Sequence, residues 1–127
     1  METINNLIFH LTALQNYAKD LHYNIPDYSI HLFADRVQEE LSDFIDEIKE
    51  SCILAKDNKL LASAEYLLGA TKLIPSVINI SELKNLIIDT LDVLEQIDKK
   101  TIGDDDIFGK IGSNLQNSLG IINILEK

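Results

Sequence analysis

Five side chains between residues 22 and 50 carry the chemistry this sequence offers. His31 and Asp35 stand four apart, Asp46 follows eleven residues later and Glu50 four after that, with His22 preceding the set. Imidazole and carboxylate without thiolate is a ligand set for iron, manganese or zinc at N/O sites. The run HLFADRVQEELSDFIDEIKE reads as helix, and a helix turns about 100° per residue. With His31 at zero, Asp35 falls near about 40°, Asp46 near about 60° and Glu50 near about 100°. The apolar set Phe33, Val37, Leu41, Phe44, Ile48 and Cys52 centres near about 255°, almost opposite. The strip therefore faces away from its own core, toward water or another subunit. Leu32 and Ile53 fall on the same strip, which suits a subunit contact. By spacing alone, acids on an outer face read most simply as solvated surface. His22, beside Leu11 and Ala18 in an apolar stripe, and His10, at its flank, read on their own as packed structural histidines.

The elements that must position these groups are helices. Ile4, Leu7, Ile8, Leu11, Leu14, Ala18 and Leu21 recur at steps of three and four, predicting a helix over 3–22. YNIPDYS breaks it: Pro26 cannot continue a helix, and Asp27 or Ser29 can cap the next, expected over about 28–56. A shorter helix is expected within 60–73, before Pro75. Ser81 opens a third long helix with the stripe Leu83, Leu86, Ile87, Thr90, Leu91, Leu94 and Ile97. KKTIGDDD predicts a turn and an acidic helix start, suited to capping and to the helix dipole. The last helix carries Phe108, Ile111, Leu115, Leu119, Ile122 and Leu125. Gly109, Gly112 and Gly120 weaken it by about 1 kcal/mol each relative to Ala, unless they serve close approach. The expected fold is a single all-α domain over 1–127: a four-helix up-down bundle with a short connector helix between the second and third long helices.

Composition bounds the function. The chain has 127 residues, 46% of them hydrophobic, and a formal charge of −10. Phosphate contacts need clustered Lys or Arg, so no nucleic-acid partner is expected. No run approaches the length of a membrane span, and METINN lacks the basic and apolar regions of a signal peptide. The one cysteine, Cys52, fits a reducing cytoplasm.

His-x3-Asp-x10-Asp-x3-Glu on the second helix, with a His closing the first, resembles the Dps family of miniferritins. HYNI at 22–25 is similar to that family's His-Trp-Asn-Val, and the connector helix fits its layout. The resemblance is specific over 22–50 and architectural elsewhere. It implies a ferritin-like bundle that stores iron and protects against oxidative stress. It further implies a di-iron ferroxidase site between subunits, with manganese or zinc as other possible occupants. His22, His31 and Asp35 would come from one chain, Asp46 and Glu50 from its two-fold mate, with no catalytic residue beyond these ligands. The implied partner is a second copy of the chain, as a homodimer, or a dodecamer as in the family's twelve-subunit shell. Three features depart from the family. His22 and His31 are nine residues apart, about one turn short of the usual spacing. Tyr23 replaces the usual Trp, and the chain is short, without a Lys-rich tail. These point toward a short Dps-like group rather than its main members.

Two other function classes compete. EELSD at 39–43 and DTLD at 89–92 faintly resemble the acidic motifs of MazG-type nucleotide pyrophosphohydrolases, where carboxylates hold Mg²⁺ against substrate phosphates. The third class is a metal-free helical bundle that acts through protein contacts. No Glu-x-x-His occurs, which disfavours a ferritin centre within one subunit.

Overall fold

The computed structural model describes residues 1–99 and 101–127, so Lys100 of the expected KKTIGDDD turn lies outside the described residues. The described residues form five α-helices: α1 Glu2–Asn24, α2 Tyr28–Ile48, α3 Ser63–Thr71, α4 Ile80–Glu95 and α5 Ile102–Leu125. Polar caps start three of them: the expected Asp27, then Asn79, two residues ahead of the Ser81 expected to open α4, and Thr101. Asp27 accepts from the Ile30 N–H ahead of α2, Asn79 from Glu82 ahead of α4, and Thr101 from Asp104 ahead of α5. The expected all-α four-helix bundle forms, with α3 as the connector helix.

Its topology follows from contacts between distant residues. α1 and α2 form an antiparallel pair across the short Ile25–Asp27 loop. The connection after α2 then climbs back along α1. The Tyr66 hydroxyl donates to Asn5 at 2.8 Å, Gly69 sits against Phe9, and the Tyr17 hydroxyl donates to the Val77 carbonyl at 2.5 Å. Tyr17 also accepts from the Asn79 N–H at 3.0 Å. This buried phenol thus fixes the start of α4 beside the end of α1, and burial raises its pKa above the usual phenol value. α4 descends beside α1, and α5 returns against α4 and α2. The four long helices run up, down, down and up instead of in the alternating up-down order expected, because the long connection carries the chain back to the end of the bundle where α2 began before α4 starts. One core fills the centre, built from Leu7, Leu11, Leu14, Phe33, Leu41, Ile87, Phe108 and Ile111 among others.

The second helix differs from the sequence reading at its lower end. Instead of α-helix to residue 56, α2 passes into a π-helical segment, Lys49–Ile53, and then a 3₁₀ turn, Leu54–Lys56. The wider π winding advances less per residue, so both Cys52 and Ile53 turn inward and are fully buried. Ile53 therefore belongs to the core and not to the outer strip. Asp57, at φ 59°, then ends the helix. The Asn58 N–H reaches the Ile53 carbonyl and the Asp57 N–H reaches that of Leu54, a left-handed cap.

Glycine positions provide a check on this packing. A Cβ at Gly69 would fall 2.7–2.8 Å from the Phe9 ring, whereas Gly109 and Gly120 face open space. At Gly112 the Leu94 side chain lies at 3.3 Å, so there the glycine does serve close approach. Gly109→Ala and Gly120→Ala should each raise stability by up to about 1 kcal/mol. Gly69→Ala should lower it by about 1–3 kcal/mol through overpacking. Urea unfolding midpoints at constant slope would reveal this opposition of sign, and equal effects at the three positions would contradict the packing.

Candidate metal centre

The short α1–α2 connection brings His22, in the last turn of α1, against His31, in the first turns of α2. Their rings stack with centroids 3.9 Å apart and planes 20° from parallel. Each Nδ1 bonds the other residue's backbone carbonyl: His22 Nδ1 to the His31 oxygen at 3.1 Å, His31 Nδ1 to the His22 oxygen at 2.6 Å. The His22 carbonyl is among the last four of α1, which have no acceptor role inside the helix, so His31 supplies it with a donor. A carbonyl can only accept, so both Nδ1 atoms carry protons. In the neutral rings both Nε2 atoms then keep a free lone pair. A ring fixed through its far N–H is how proteins orient metal-binding imidazoles.

Asp35, one turn further along α2, lies with Oδ1 4.0 Å from His22 Nε2. That gap is beyond hydrogen-bond range, but lies within the reach of one ion making two bonds of about 2.0–2.2 Å. Gln38 Nε2 approaches the same Asp35 oxygen at 3.5 Å. Tyr23 stands edge-on to His22 at 5.0 Å, and Tyr28 stacks beyond His31 at 6.3 Å. Two exposed tyrosines thus flank the imidazole pair. The nine-residue spacing places the two imidazoles face to face.

Asp46 and Glu50 are exposed and lie elsewhere along the helix. Eleven residues of rise separate Asp46 from Asp35 by about 16 Å, too far to share an ion within one chain. Accordingly, no three acidic, thiol or imidazole groups among the described residues converge on one point. What a single chain brings together is two stacked imidazoles, with one carboxylate oxygen 4.0 Å from His22 Nε2, and these three do not by themselves close around an ion. The three α2 positions and Glu50, in the π-helical segment that continues α2, have a symmetry of their own. His31 and Glu50, and likewise Asp35 and Asp46, lie equally far from the midpoint between Glu40 and Leu41. An antiparallel copy of α2 crossing at that midpoint would set His31 opposite Glu50, and Asp35 opposite Asp46, twice over.

Other titratable groups take different roles. His10 is buried and bonds the Asn6 carbonyl at 2.9 Å, a structural histidine. The acids of 39–43 and 89–92 lie on α2 and α4 and do not converge on an ion. Glu40 is engaged by Arg36 and by Asn114 of α5.

A second polar cluster, which the sequence did not reveal, lies at the opposite end of the bundle. Asp104, one of three consecutive acids of the expected acidic helix start, is 4% exposed and paired with Lys56. Cys52 Sγ donates to Asp104 Oδ1 at 3.7 Å, beside a cavity of about 240 Å³. Burial first, and then the Asp104 charge, push the Cys52 thiol up to about 11, so it is a weak nucleophile at neutral pH. No sequence signal marks this cluster, since Asp104 and Lys56 are 48 residues apart. Among the described residues no helix is long and apolar enough to cross a membrane. Comparison of the chain with protein-family models, with curated proteins and with solved structures finds no match.

Proposed function

We propose that this protein is a Dps-like iron-oxidising bundle whose di-iron site is shared between two chains. The observation that carries the reading is the stacked His22–His31 pair. Both Nδ1 atoms are occupied by backbone carbonyls, which turns the Nε2 atoms away from those bonds, and the His22 Nε2 lies 4.0 Å from Asp35. A solvated surface has no need of two tautomer-fixed imidazoles within reach of one carboxylate. The single long crossover between α2 and α4, the connectivity of ferritin-like bundles, supports it further.

In this reading Fe(II) is the substrate. His22 and His31 supply nitrogen, Asp35 a terminal carboxylate, and Asp46 and Glu50 of a second copy the remaining oxygens. The chain's contribution is to hold these donors in place and to concentrate cations with its acidic surface. Peroxide or dioxygen is the oxidant, and the exposed acids offer sites where Fe(III) mineral can start. A cytoplasmic location fits the single buried thiol and the Fe(II) substrate.

The test is an anaerobic Fe(II) titration of the wild type and of His31→Ala and Asp35→Ala. Each variant should lose at least about tenfold in affinity, since removing even an outer-shell partner of a ligand costs that much. His31 is half-buried and hydrogen-bonded, so its loss should also cost about 1 kcal/mol of stability. Circular dichroism should show the fold retained. Equal iron binding by all three proteins would return the strip to ordinary solvated surface and favour a metal-free interaction bundle.

A further inference from the structure

Resting on the shared-site reading, we infer that dimerisation of this chain is switched by divalent cations, with the α2 strip as the contact between two copies. The occupant of the strip follows from its symmetry. Only a second α2, antiparallel and crossing near Glu40 and Leu41, sets His31 opposite Glu50 and Asp35 opposite Asp46 at both ends of one interface. Each end then lies about 14 Å from the crossing point. The donors stay within mutual reach when the helices cross at the shallow angle of about 20° common in bundles.

The flanks suit the same pairing. Leu32 is 50% exposed on the strip, and it would face Lys49 of the second copy. Lys49 Nζ lies 4.9 Å over the Tyr66 ring, which places α3 next to that position. Leu67 and Leu68 of α3, 52% and 62% exposed, would then come beside Leu32 and Tyr28 of the second copy. Apolar cover thus borders the polar centre at both ends.

The switch arises from charge. In that pairing Asp35 meets Asp46 of the mate, with Glu50 of the mate close by, so each end gathers three carboxylates. The cations on this face are committed elsewhere: Arg36 to Glu40 at 3.5 Å, and Lys49 to the Tyr66 ring. Each chain also carries a formal charge of −10. Like charges brought together in a partly desolvated contact oppose association, and a divalent ion at each end reverses that sign. Cations that bind the dimer and not the monomer must shift the equilibrium toward the dimer.

Sedimentation of a dilution series, in chelator and in redox-inert Zn(II), reads this directly, alongside zinc stoichiometry. Zinc at about 100 times its dissociation constant should tighten the dimer by at least about 100-fold. Asp46→Asn, which removes one opposed charge on the surface, should strengthen the dimer in chelator and shrink the effect of zinc. If zinc binds at the dimer but the chain is already fully dimeric in chelator at every dilution, the switch is overturned and the shared site stands. A chain that stays monomeric while binding zinc, or that binds none, overturns the shared site and the switch together.

Discussion

A mixture of His31→Ala chains and Glu50→Gln chains, each inactive alone, should recover iron oxidation. In a shared site each variant dimer lacks one ligand at both ends. In the mixed dimer the defects fall at the same end, and the other end combines an intact His31 with an intact Glu50. Random pairing of equal amounts makes half the dimers mixed with one good end each, so activity should return to about a quarter of wild type. The effect is large because the starting values are near zero. The geometry makes the outcome diagnostic, since Asp46 and Glu50 lie too far along α2 to complete the site of their own chain. Recovery on mixing has no explanation in a single-chain site. A mixture as inactive as its components, with exchange of subunits verified, would remove the shared centre.

Lys56→Met should be among the most destabilising single changes away from the apolar core, by about 2–4 kcal/mol. Asp104 is nearly fully buried, and Lys56 is its cationic partner; the Lys56 side chain keeps 29% exposure, which tempers the loss. Removing the cation leaves a carboxylate in the interior with, among the described residues, only the weak Cys52 S–H as side-chain donor. Asp104→Asn should cost less, because Lys56 can turn its charge toward water. Joining Lys56→Met with Asp104→Leu should recover most of the loss, as buried pairs replaced by apolar groups often do. Urea unfolding of the three variants gives the order, and a Lys56→Met protein as stable as the wild type would show the pair contributes little. The pair also ties the start of α5 to the end of α2, next to the π-helical segment that presents Glu50. Loss of the pair should therefore weaken iron binding as well as folding.

The sequence by itself determined the helices and, apart from the lower end of α2, their approximate limits. Apolar residues at steps of three and four, Pro26 and Pro75, and the cap at Asp27 are local signals, and local hydrogen bonding acts on them directly. It also separated the outer strip of α2 from the core face, because both obey one helical period until residue 48. Tertiary structure alone decided the rest. Ile53 left the strip for the core because π winding alters the period where the segment packs against α5. Asp104 read only as part of an acidic helix start, because its cation lies 48 residues away and no spacing rule reaches across that distance. His22 read alone as a packed histidine in an apolar stripe. Only the tight turn of α1 onto α2 set its ring against His31 and gave each imidazole the other's carbonyl. Periodicity reports which face a side chain occupies; what it meets there depends on how distant elements close around it.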